Sequence, residues 1–172
     1  PFLKPWQQLL LREIQGLREH PDEWERLERE VRDWDGRAAV DSIGYTIVRD
    51  FRTLVIQSYQ QRLLAPCFDA DPGFRPHVLR LETPMLQIAS SQPEFLNGNG
   101  FFQAVHRLII DRIHRRCDEE GWERQRWGRR NRLDIAHPLA RAIPLPFVGR
   151  LLSMAETESE GDSYVPKVVR ED

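Results

Sequence analysis

Residues 41–66, DSIGYTIVRDFRTLVIQSYQQRLLAP, decide the fold. Apolar side chains fall at Ile43, Ile47, Phe51, Leu54, Val55 and Leu63, and Tyr45, Val48, Ile56 and Tyr59 widen the stripe. The spacing is helical and lacks the alternation of a strand. Asp41 or Ser42 supplies a short side-chain oxygen to cap the first free backbone N–H groups. Pro66, which has no N–H to donate, is expected to stop the other end. A helix with so broad an apolar face must be covered on more than one side. The remaining segments read as that covering.

Working toward the N-terminus, a Trp34-Asp35-Gly36 turn precedes the long helix. Residues 21–34 read as a helix opened by Pro21, with a seam of Trp24, Leu27, Val31 and Trp34. Its Asp22/Arg26, Glu25/Arg29 and Glu28/Arg32 pairs have the spacing of a solvated face, each contributing about 0.2–0.5 kcal/mol. Residues 5–18 read as another helix, with Pro5 at its first position and Trp6, Leu9, Leu10, Ile14 and Leu17 on one face.

Working toward the C-terminus, Phe68 to Pro76 reads as a loop around Asp71-Pro72-Gly73. Thr83-Pro84 opens a short helix through Ala89, and Ser90 to Gly100 is a second loop. A strong helix then runs from Phe101 to Glu120, with Phe102, Val105, Leu108, Ile109 and Ile113 inward. Gly121 is suited to end it. Beyond it, Trp122 to Arg132 is rich in arginine and tryptophan, and prolines 138, 144 and 146 exclude a long helix. Met154 to Ser163 reads as an acidic surface loop and Tyr164 to Val169 as a strand without an evident partner. The chain is therefore expected to be mainly α. Residues 1–121 form a helical, bundle-like region, and residues 122–172 form an Arg/Trp-rich turn, extended segments and a tail.

The 172 residues suffice to bury a core of roughly 70% of the unfolded surface. Charges of 25 basic and 27 acidic residues leave a net of −2, which gives no electrostatic footprint for nucleic acid or an anionic membrane. Only Lys4 and Lys167 are lysines. The remaining basic residues are arginines, suited to fixed bidentate pairing with carboxylates. No run is long enough to span a membrane. Cys67 and Cys117 are expected as free, partly buried thiols, with a bridge between them the other possibility. Pro1 reads as a cleavage or excision boundary, because Phe2 to Leu11 enters a helix instead of opening a compact site.

No nucleophile, base or metal set stands at working distance. His106 and His114 lie eight apart on one helix, too far to share an ion without help, and read as flanking residues of an amphipathic helix. His137 precedes a proline in a turn. The arginines between 112 and 132 are interleaved with Trp122 and Trp127, a pattern that binds single strands. Asp111, Asp118, Glu119, Glu120 and Glu123 in the same stretch favour internal ion pairing. No residue is assigned a catalytic, cofactor-binding or metal-binding role.

Two stretches carry a resemblance. RDWDGRAAVDSIGYTIVRDFR (Arg32–Arg52) and WGRRNRLDIAHPLARAIP (Trp127–Pro144), the latter followed by Glu160-Gly161-Asp162-Ser163-Tyr164, resemble the penicillin acylase (penicillin amidase) family in part of its large, or β, chain. The opening PFLKPWQQLLL is similar too, so the likeness spans nearly all of the chain. MAETESEG at 154–161 departs from the small residues and prolines expected before the Gly-Asp.

The resemblance implies a parent of α+β, four-layer αββα fold, an N-terminal nucleophile hydrolase that cuts itself into two chains. Its serine nucleophile would lie upstream of these residues, leaving this segment catalytically silent. The implied substrates are acyl amides, including β-lactam side chains, and acyl-homoserine lactones. The implied partner is the remainder of the same hydrolase, its α chain and catalytic sheets. The implied location is periplasmic or secreted. A structural calcium belongs to the parent, with no ligands expected in this chain. If this is a segment of a larger enzyme, apolar faces should be left where the sheets dock. The other reading is a stand-alone helical protein-interaction module.

Overall fold

The computed structural model describes residues 2–20, 22–74, 81–133 and 157–162. Helix α3, Ile43–Ala70, is its axis. Around it stand α1 (Lys4–Leu17), α2 (Glu25–Asp33), α4 (Glu82–Ser91) and α5 (Phe101–Glu120), each touching α3. A 3-10 turn, Trp122–Gln125, leads to the four-residue helix α6 (Trp127–Arg130). Strands β1 (Arg132–Leu133) and β2 (Thr157–Glu158) form a two-residue antiparallel ladder. The described chain is mainly helical, as its periodicity requires.

The start of α3 shows why it is central. Ile43 to Val48 are six consecutive buried residues, so this end is covered on every side. Ser42 Oγ accepts the backbone N–H of Tyr45 at 3.1 Å, the cap expected from sequence. Gly44 lets α2 approach: a Cβ there would stand 2.3 Å from the Glu30 carbonyl oxygen and 2.7 Å from Trp34 Cβ. Farther along, Phe51, Val55 and Tyr59 continue the buried stripe. Trp6 of α1 meets Phe51 edge-on at 6.5 Å. Its indole N–H donates to Glu82, which also receives Arg52. One carboxylate thus joins α1, α3 and α4.

Several expectations are corrected. Pro66 does not stop α3, which continues to Ala70. Pro66 offers no N–H to the carbonyl of Arg62, an exposed residue, and the helix continues past that one missing bond. The extra turn is closed by Asp71 N donating to Cys67 O at 2.9 Å and by Phe68 against Phe74 at 5.5 Å. The segment from Phe68 to Ala70 is therefore helix, not loop. Helix α2 begins at Glu25 instead of residue 21. Trp24 takes a left-handed backbone, φ 61°, that turns its ring into the core. Helix α4 starts at Glu82, with Pro84 inside its first turn rather than at its first position.

The inward face of α5 also differs. Leu108 is 68% exposed, and Val105 is only half-buried. Phe102, His106, Ile109, Ile110, Ile113 and Cys117 are the buried positions. Both ends of α5 fall where expected. Gly100 and Gly121 have φ of 68° and 92°, which side chains disfavour. The Glu28/Arg32 pair forms, but Glu28 is buried and also receives Arg18 at 3.2 Å. Arg26 lies nearest Glu30 and over the Trp122 ring. That side of α2 is an interface more than a solvated face.

Among the described residues the large exposed hydrophobics are Phe2, Phe95 and Leu108, spread along the chain. The strand expected at Tyr164 to Val169 lies outside the described residues, as do most of Ile135 to Val169 and His137.

Candidate functional site

The Trp34-Asp35-Gly36 turn is tied on both sides. Arg37 N donates to Asp35 Oδ1 at 2.8 Å, and Trp34 Nε1 donates to Arg37 O at 2.7 Å. Lys4 and Gln7 of α1 donate to the Trp34 carbonyl at 3.0 and 3.1 Å. The turn delivers residues 38–42 alongside α6. There Gly128 N donates to Val40 O at 2.8 Å and Trp127 N to Ser42 O at 3.0 Å. An open depression of about 320 Å³ lies beside it, lined by Glu30, Asp33, Trp34, Asp35 and Asp41 among others. Among the described residues no three or more His, Cys, Asp or Glu side chains are grouped to hold a metal ion.

Residues 157–162 lie against this frame as an extended clasp. Ser159 N donates to Asn131 O at 2.8 Å. The Asn131 amide returns two bonds, to Ser159 O and Gly161 O, each 2.8 Å. Trp127 Nε1 donates to the same Gly161 carbonyl at 2.9 Å, and Gly161 N donates to Ala38 O at 2.9 Å. Asp162 receives the Tyr45 hydroxyl and, at 3.2 Å, Arg49 Nε. Tyr45 packs edge-on against Trp127 at 4.8 Å, with the Arg49 guanidinium over the same indole. Burial first, then the Asp162 carboxylate, pushes the Tyr45 phenol up, so it stays a neutral donor. Of the stretch expected to be an acidic surface loop, Met154 to Ser163, residues 157–162 are described: Thr157 and Glu160 are exposed as expected, while Gly161 is buried and Asp162 is engaged.

A second constellation crosses the bundle. His106 Nδ1 is 2.8 Å from Glu13 Oε2, and His106 Nε2 is 2.7 Å from the Tyr59 hydroxyl. Nδ1–H donates to the carboxylate, and Nε2 shares a hydrogen bond with the phenol. Burial raises the Glu13 carboxyl, but hydrogen bonding to His106, its charge and Arg12 together hold it below the usual range. Burial, then the Glu13 charge, pushes the Tyr59 phenol up. Acid, imidazole and hydroxyl in a row have the chemistry of a proton relay. Here His106 is 0% and Tyr59 1% exposed, so the row has no face toward a substrate. It braces α1, α3 and α5.

His106 is thus a core residue, correcting its reading as a flanking one. A signal was available, since 102, 106, 109, 113 and 117 keep helical spacing. His114 is half-buried, 3.4 Å from Asp118 and edge-on to Trp122. The two histidines have separate partners. Both cysteines are free, Cys67 exposed and Cys117 buried. Four arginines of the arginine-tryptophan stretch, Arg116, Arg126, Arg129 and Arg130, pair with carboxylates. Arg116 and Arg130 converge on Asp50 at 2.6 and 2.7 Å, Arg126 meets Glu123, and Arg129 meets Glu158. Trp122 and Trp127 are buried, so neither offers a stacking face.

The described geometry is that of a helical frame whose polar groups serve its own packing. The family model for penicillin amidase matches residues 3–172. The chain belongs to the penicillin amidase family, a family of amide hydrolases. No curated protein and no solved structure matches it.

Proposed function

We propose that this chain is a non-catalytic helical part of a penicillin-acylase-like amidase, supporting the sheets that carry the reaction. The parent is read as an N-terminal nucleophile hydrolase acting on acyl amides, with β-lactam side chains or acyl-homoserine lactones as substrate classes. Its serine, generated by self-cleavage and lying outside these residues, attacks the carbonyl while its own α-amine takes the proton. An α-amine titrates near pH 7.7–8.0, close to working pH, which suits it to that task. Oriented donors then hold the tetrahedral oxyanion. The partner of this chain is the rest of the same hydrolase, and the expected setting is periplasmic or secreted.

One observation carries the reading: the family match covers residues 3–172, while the buried histidine among the described residues, His106, is spent in packing. His106 is engaged on both nitrogens and His114 faces Asp118. The test is expression of the complete reading frame. Intact-mass spectrometry should show two chains, the larger beginning with serine, and the cleaved protein should hydrolyse chromogenic acyl anilides. A complete protein that stays uncut and inert toward acyl amides and acyl-homoserine lactones would overturn it.

A further inference from the structure

We infer that the surface formed by Ala38, Tyr45, Arg49, Trp127, Gly128 and Asn131 is a peptide-binding site in its own right. Its ligand is an extended, acidic Glu-Ser-Glu-Gly-Asp segment, supplied by this chain as residues 158–162, with Arg129 beside its first glutamate. The site holds that segment without needing the covalent connection through residues 134–156.

Three observations carry this. The contacts are those of strand addition, in which main-chain bonds supply affinity and side-chain positions supply choice. Ser159 and Gly161 give up their N–H groups to Asn131 O and Ala38 O. Their carbonyls are taken by the Asn131 amide and the Trp127 indole. The surface is shaped for its occupant. A Cβ on Gly128 would lie 2.5 Å from Val40 Cγ1 of the frame, 2.7 Å from Glu158 Oε2 and 3.0 Å from Glu158 Cβ, so glycine is needed by the frame's own packing and also leaves the space that Glu158 fills. Charge is matched at both ends, Arg129 with Glu158 at 3.4 Å and Arg49 with Asp162 at 3.2 Å. Gly161 has φ 76°, so the ligand itself requires glycine at that place. The frame side is anchored independently of the clasp by Trp127 N to Ser42 O and Gly128 N to Val40 O.

The test introduces a site-specific protease sequence within residues 140–150 of the 172-residue chain, cuts it, and follows the pieces by native size-exclusion chromatography. The C-terminal piece should co-migrate with the frame. Asp162→Asn and Asn131→Ala should each speed its release by about tenfold or more, as loss of a charge-assisted or a doubly used amide bond implies. Circular dichroism of the uncut variants separates release from unfolding. If one variant does not fold, the other provides the reading. Immediate loss of the piece from the cut wild-type chain would overturn the inference, as would unchanged retention in both variants. Neither result depends on whether the parent hydrolyses amides.

Discussion

Glu13 of α1 and His106 of α5 meet 2.8 Å apart inside the bundle, and the far side of the imidazole meets Tyr59 of α3. The Glu13 carboxyl titrates below its ordinary value of 4.5 in the folded chain. A depressed carboxylate contributes stability above its unfolded pKa, and that contribution fades as pH falls through the folded one. Glu13→Gln should therefore destabilise the chain by about 1–3 kcal/mol at pH 7. The difference from wild type should shrink below pH 4.5. Urea unfolding at pH 7, 5 and 3.5 measures the gap. A gap constant with pH would show that the ionised carboxylate contributes nothing.

Two glycines test the packing. Gly44→Ala pushes a methyl into the Glu30 carbonyl and Trp34, forcing α2 and α3 apart. A loss of about 3 kcal/mol is expected, typical of severe overpacking. Gly16→Ala, near the end of α1, meets nothing within 4 Å. It should gain up to about 0.5–1 kcal/mol through helix propensity. Thermal unfolding of the two variants should shift in opposite directions.

Thr46 is fully buried on α3 and its hydroxyl has no hydrogen-bond partner among the described residues. Thr46→Val removes the orphan oxygen at nearly constant volume. The variant should be more stable by about 1 kcal/mol, within the range set by leaving a polar group unsatisfied. A lower denaturation midpoint would reveal a role for the hydroxyl.

Cys117 is buried, and burial pushes its thiol up to about 11. Cys67 is exposed on the last turns of α3. A disulfide-exchange reagent at pH 8 should titrate one thiol per folded chain, and the second only in denaturant. Peptide mapping should place the fast site at Cys67. Rapid labelling of both would mean that α5 opens.

How much of this was legible depends on where the signal resides. Local punctuation located α5 within its residues, because Gly100 and Gly121 mark both ends. The Ser42 cap and the breadth of the α3 stripe were equally local. Pro66 misled because a proline late in a helix removes a single hydrogen bond, and the turn beyond it is closed by Asp71 N donating to Cys67 O. His106 and Cys117 were hidden by residue type, since a helix face is sought among aliphatic side chains while Leu108 satisfies the same count from the wrong side. The clasp was not visible at all. Tyr45 and Asp162 are separated by 117 positions, and no periodicity links a phenol to a distant carboxylate. The same holds for Glu13 and His106, 93 apart. Polar pairs of this kind are set by the folded arrangement of the helices.

The claim that these helices support an amidase without performing its reaction is tested most directly by assaying the purified 172-residue chain for hydrolysis of acyl amides, beside the complete protein at equal concentration. The account predicts turnover by the complete protein and none by the isolated chain. Hydrolysis by the isolated chain, abolished by a substitution within it, would contradict the account.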